Sequence, residues 1–170
     1  MKLVLKLVTV LVLAVLIAGG LLLFTPLGDE PLGGLFDTGD PEPVDFAALA
    51  LTENPNQHLM CPIGICSAPA HAESPIYDLP VEDLQARWEA VIEQQARVTV
   101  LARDRTGRQI DYVQRSALFR FPDVITVRFI PLPDNRSTLA VYSRSVFGKS
   151  DLGVNHERIE AWVAALEADG

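Results

Sequence analysis

The sequence predicts an α+β fold: a helix, a four-stranded antiparallel sheet and a C-terminal helix in two layers, preceded by an N-terminal transmembrane helix. Three observations predict it. Leu7 to Phe24 is an 18-residue run without charge. Apolar residues recur at helical spacing after Pro80 and again after Asn155. Between these lie four short β-branched segments joined by brief turns. The chain divides into 1–28, a transmembrane anchor or signal segment, 29–57, an acidic Pro/Gly-rich linker, and 58–170, the α+β domain. A length of 170 residues with 49% apolar composition leaves room for one such domain and excludes a wholly disordered chain.

Charge follows the same division. The net charge is −8, and Lys2 and Lys6 are the only basic residues before Arg87. Between Leu7 and Ala86 there are 11 acids, while the stretch from Arg87 to Gly170 holds 12 basic and 11 acidic residues. The acidic balance argues against a nucleic-acid partner, which needs a basic face. Lys2 and Lys6 before the apolar run, with Asp29 and Glu30 after it, predict a single-pass membrane protein. Its N-terminus is cytoplasmic and its C-terminal domain periplasmic or otherwise extracytoplasmic. A cleaved signal peptide is the competing reading. The bulky residues Leu21 to Phe24 offer no small-x-small cleavage site, and Ala18-Gly19-Gly20 is an early one.

From Thr25 to Gln57 prolines and glycines alternate with acids, which predicts an extended linker. Within it Val44 to Leu51 (VDFAALAL) is apolar enough to dock on the domain. Pro80 opens a helix whose Val81, Leu84, Trp88, Val91 and Ile92 share one face. Arg97–Arg103, Gln109–Phe121, Val124–Ile130 and Thr138–Val146 read as the strands of a meander. Asn155 caps a last helix that carries Ile159, Trp162, Val163 and Leu166 on one face. Trp88 and Trp162 read as core.

The run Ser143-Arg144-Ser145-Val146-Phe147-Gly148-Lys149-Ser150-Asp151-Leu152-Gly153-Val154-Asn155-His156-Glu157-Arg158-Ile159 resembles the signature of the domain of unknown function 1499 family. The matching positions are Gly148, Ser150, Asp151, Gly153, Asn155, Arg158 and Ile159, a G-x-S-D-x-G-x-N-x-x-R-I pattern that opens the last helix. The resemblance extends upstream through Tyr112–Ser116 and Phe121-Pro122-Asp123 to Cys66-Ser67. Many members carry a second arginine just before the glycine, where this chain has Val146-Phe147. The resemblance implies the domain and leaves its activity open.

Two readings of this loop compete. As architecture, Gly148 and Gly153 supply backbone angles that other residues resist, Asp151 bonds to turn amides and Asn155 caps the helix. As a ligand site, the loop offers Arg144, Lys149, Ser150, Asp151, Asn155 and Arg158 to an anion at a helix N-terminus. Ser150, Asp151 and His156 form no nucleophile elbow, so no catalytic residue is expected. Cys61 and Cys66 are disulfide candidates in an exported domain. Free thiols and a zinc set of His58, Cys61, Cys66 and His71 are the alternatives, and no metal site and no cofactor are expected. Arg115, Arg128 and Arg144 fall on successive strands and can form a ladder on one sheet face.

The functional expectation is a membrane-anchored extracytoplasmic domain with a non-catalytic binding or cell-envelope-associated role. The alternative is an envelope hydrolase or transferase with its site at the Gly148–Asn155 loop. The expected partner is the membrane, through residues 7–24, and no nucleic acid is expected. A protein or small anionic ligand is left open.

Overall fold

The structure, a computed structural model, describes residues 2–25, 27, 31, 34–39, 42–148 and 152–168. Helix α1 spans Lys2–Phe24, and none of its residues is buried. At 23 residues it is about 35 Å long, enough to cross a bilayer's hydrocarbon core, and an N-terminal signal sequence has the same character. Thr9 donates its hydroxyl to the Leu5 carbonyl at 2.9 Å, which satisfies its one side-chain donor within the helix.

The domain is a mixed sheet of six strands carrying two helices on one face. The strands are β1 (Gln57–Cys61), β2 (Ala72–Glu73), β3 (Val98–Arg103), β4 (Gln109–Arg115), β5 (Pro122–Leu132) and β6 (Arg136–Ser145). Their order is β2-β1-β6-β5-β4-β3, with β1 and β2 parallel and every other pair antiparallel. The α+β class is as expected, but four antiparallel strands are two too few. Strand β1 is buried along its whole length, so its residues lack the in–out alternation that marks a strand in sequence. Strand β2 has two residues and depends on its neighbour for definition.

Helix α2 (Val81–Glu93) starts after Pro80, whose φ of −60° suits the entry and whose carbonyl accepts the Leu84 amide at 3.0 Å. Helix α3 spans Val154–Ala168. Both pack on the sheet through Leu84, Trp88, Val91, Ile159, Trp162 and Leu166, against Ile110, Ile125, Val127, Phe129, Leu139 and Val141. Trp88 and Trp162 meet edge to face at 5.8 Å and 75°, so both tryptophans are core.

The opposite face is covered by the segment that precedes β1. Phe46, 1% exposed, joins Leu59, Cys61, Ala68, Ala140 and Tyr142 in a second cluster, with Val44, Leu49 and Leu51 packed against it. The apolar stretch Val44–Leu51 therefore docks as a strap across the sheet.

Strand β4 ends at Arg115 rather than continuing to Phe121. Ser116 and Phe121 close a tight loop, the Ser116 amide donating to the Phe121 carbonyl and the Phe121 amide to the Ser116 hydroxyl. Inside it Arg120 takes a left-handed φ of 59° and donates its guanidinium to the Ala117 carbonyl. Alternation of apolar residues through Phe121 hides this break. The β5–β6 hairpin turns at Asp134 and Asn135, both near φ 60°, residue types that tolerate that region.

Candidate functional site

The residues with the sharpest sequence pattern build a polar network between α3 and the sheet. Register places Gln114, Asp123 and Ser145 in one row across β4, β5 and β6. Arg158, one turn into α3, reaches down onto that row. Its Nε donates to Gln114 Oε1 at 2.5 Å and its Nη2 to Asp123 Oδ2 at 2.6 Å. Its Nη1 donates to Ser143 Oγ at 2.8 Å and to Asn155 Oδ1 at 2.7 Å. Asp123 Oδ1 accepts the Ser145 hydroxyl at 2.6 Å. Asn155 also accepts the Ser143 hydroxyl at 2.5 Å and donates to the Asn56 carbonyl at 3.1 Å.

Helix α3 begins at Val154, two residues before the His156 start that a cap at Asn155 implies, so Asn155 lies inside its first turn. Its side chain is turned inward, 1% exposed, and serves the sheet and β1's approach rather than capping the helix. The Arg158–Asp123 pair is likewise shielded, its side chains 6% and 16% exposed. A buried ion pair with its remaining donors and acceptors bonded holds two elements in one relation. The network contains no histidine to act as a base, and Asp123 is engaged by Ser145 and Arg158 together. It is a fastening.

Gly148 and Gly153 take φ values of 89° and 87°, the left-handed region that glycine enters without strain. The Gly148 carbonyl accepts the side-chain amides of Asn54 and Asn56 at 3.1 and 2.8 Å, tying this loop to the chain before β1. Lys149, Ser150 and Asp151 lie outside the described residues. Of the six expected ligand residues, Asn155 and Arg158 therefore belong to the network.

Arg144 stands apart, on the other face of β6. Register pairs it with Val124 and with Gln57, and its neighbour on that face is Tyr142. Its guanidinium carbon sits 5.1 Å from the Tyr142 ring centroid, and its Nη1 donates to Thr126 Oγ1 at 3.3 Å. Burial pulls the Arg144 guanidinium below the usual arginine range, partly offset by Tyr142 and Asp111. It lines an open groove of about 500 Å³ beside the strap, with Val124, Val44, Leu49 and Val146 as apolar walls and Glu42 and Asp45 among the lining residues. Arg115 and Arg128 share its face, but no ladder forms. Arg115 donates to the carbonyls of Phe36 and Arg120, and Arg128 pairs with Gln109 and Ala140, four residues along β5 from Val124.

Cys61 and Cys66 are joined in a disulfide, with Cα atoms 6.3 Å apart. The zinc set that used their thiolates is thereby dissolved, because a disulfide sulfur is no thiolate ligand. His58 and His71 nevertheless meet, and His156 joins them from α3. In sequence, His58 and His71 group with the cysteines, and His156 stands only with Ser150 and Asp151. The i, i+4 spacing of His156 and Glu160, one turn apart on a helix, was the available signal.

A family model described as "Protein of unknown function (DUF1499)" matches residues 41–166, most of the chain, and the chain belongs to that family. A search of curated proteins finds no match.

Proposed function

Taking membership of the DUF1499 family as the premise, with no activity attached to it, we propose a membrane-tethered extracytoplasmic binding domain without chemistry of its own. Its ligand is a small amphipathic acid held against Arg144 in the groove beside the strap. The observation that carries this reading is the state of Arg144. Among the described residues its guanidinium makes one hydrogen bond, of 3.3 Å, while burial disfavours its charge. An incoming carboxylate or phosphate supplies the missing charge-assisted bonds, and the apolar walls accommodate a hydrocarbon portion.

Support for a binding role without catalysis comes from the neighbouring hydroxyls. Tyr142 donates to Gln57, Thr126 to Asp111 and Ser145 to Asp123, and no histidine accompanies any of them. Export is supported by Lys2 and Lys6 before the apolar helix, by the acidic stretch after it, and by the disulfide, which suits an oxidising compartment.

The test is calorimetric titration of the full-length chain in detergent with decyl phosphate and decanoate, using decanol as the uncharged control. Both acids bind, decanol does not, and Arg144→Gln weakens the acids by about 10–100-fold, the loss expected when a charge-assisted bond goes. Equal binding by wild type and variant refutes the reading.

A further inference from the structure

The chain has three histidines, remote in sequence, and the fold gathers them all. His58 is the second residue of β1, paired with Ser143, on the face that α3 covers. Its ring stacks on His71 at 5.0 Å and 27° and meets His156 at 4.6 Å. His71 Nδ1 accepts the Leu59 amide at 3.0 Å, which fixes that ring against β1.

His58 Nε2 and His156 Nδ1 face each other at 3.5 Å. That is the outer edge of a hydrogen bond. It is close to the roughly 3.3–3.4 Å that separates two nitrogens bound at about 2.0–2.1 Å to one tetrahedral zinc ion. Glu160, one turn beyond His156, brings a carboxylate oxygen to the same place, and the donor atoms of His58, His156 and Glu160 all lie within 4.8 Å of one another. His58 is buried while His156 and Glu160 are exposed, so the core fixes one ligand and solvent reaches the other two.

We propose that His58, His156 and Glu160 form a binding site for a divalent transition metal of the zinc type, with three protein ligands and an open coordination position. Two imidazoles with one carboxylate suit zinc, whereas calcium and magnesium take oxygen ligands. The ion would tie β1 to α3 and stabilise the fold by mass action. The site lies on the opposite side of the sheet from Arg144 and binds a cation, so its failure and that of the amphipathic-acid reading are separate results.

The test titrates full-length protein in detergent with Zn²⁺ against a chromophoric chelator, and records the visible spectrum with Co²⁺ in place of zinc. Wild type binds one Zn²⁺ per chain, melts higher with Zn²⁺ present, and gives tetrahedral Co²⁺ absorption. His156→Ala weakens Zn²⁺ by more than about 100-fold, and Glu160→Gln by about 10–100-fold, in the range metal-site substitutions produce. Both side chains are exposed, so melting without metal stays as in wild type. If His156→Ala melts lower, the isosteric Glu160→Gln carries the comparison. The proposal is overturned if wild type binds no Zn²⁺, or if both variants keep their affinity within about threefold.

Discussion

Two shielded arginines on opposite faces of one strand pair do different work. Arg158 reaches the sheet from the helix side and finds Asp123, Gln114, Ser143 and Asn155, so each of its terminal nitrogens and its Nε is bonded. Arg144 points the other way and has a tyrosine ring and one long bond to Thr126. A cation removed from water and fully partnered fastens structure. One removed from water and thinly partnered is a standing demand for an anion. The difference separates two roles a shielded arginine can take, and the proposed ligand site rests on the second of them. The G-x-S-D-x-G-x-N-x-x-R-I run contributes its asparagine and arginine to a joint between helix and sheet. The open cation sits just upstream of the run, facing away from it.

The contrast breaks first on a pair of substitutions. Arg158→Leu leaves Asp123 as a shielded carboxylate without its cation and costs about 3–5 kcal/mol, a fall in Tm of about 10 °C or more. Arg144→Leu removes a poorly solvated charge and changes stability by less than about 1 kcal/mol, so Tm moves by only a few degrees. Thermal unfolding of the two variants side by side measures this, and equal losses would erase the distinction between the faces.

A smaller effect sharpens the account of the strap. Phe46→Ala empties the second cluster and costs about 3 kcal/mol, with Arg144 becoming more accessible as the strap loosens. Denaturant unfolding gives the cost, and a stability matching wild type would mean that the strap is no part of the folded unit.

The smallest effect belongs to the helix-covered face alone. Burial first, and the charge of Glu89 second, push the Tyr112 phenol up to about 12 from its ordinary 10.0. A folded pKa above the unfolded one means that the phenol's contribution is complete below pH 10 and is lost as pH rises towards 12. Tyr112→Phe flattens this alkaline decline, as melting followed from pH 9 upward would show.

Much of this organisation was legible in local pattern. The apolar helix is marked by its long run without charge, the amphipathic helices with Trp88 and Trp162 by their helical spacing, and the strands β3 to β6 by short β-branched segments between turn residues. The strap was readable for the same reason, Phe46 lying in an apolar stretch within an acidic linker. Strand β1 was not, since Gln57 and His58 are polar residues inside it whose burial makes sense only beside Tyr142 and α3. Asn155 read as a cap because Asn before an apolar helical run suits that role, and only the position of Ser143 across the gap turns it inward.

What the residues dictate unaided is a matter of neighbours in the chain. A long run without charge has one preferred environment, and alternating or helical spacing commits a segment to an element and a face. The roles of the charged and ionisable groups depend on residues far away in sequence. Arg158 meets Asp123 across 35 positions and His58 meets His156 across 98. Which arginine is saturated, which is open and where three imidazoles converge were decided when the sheet fixed its register, since electrostatic partnership depends on distance in space.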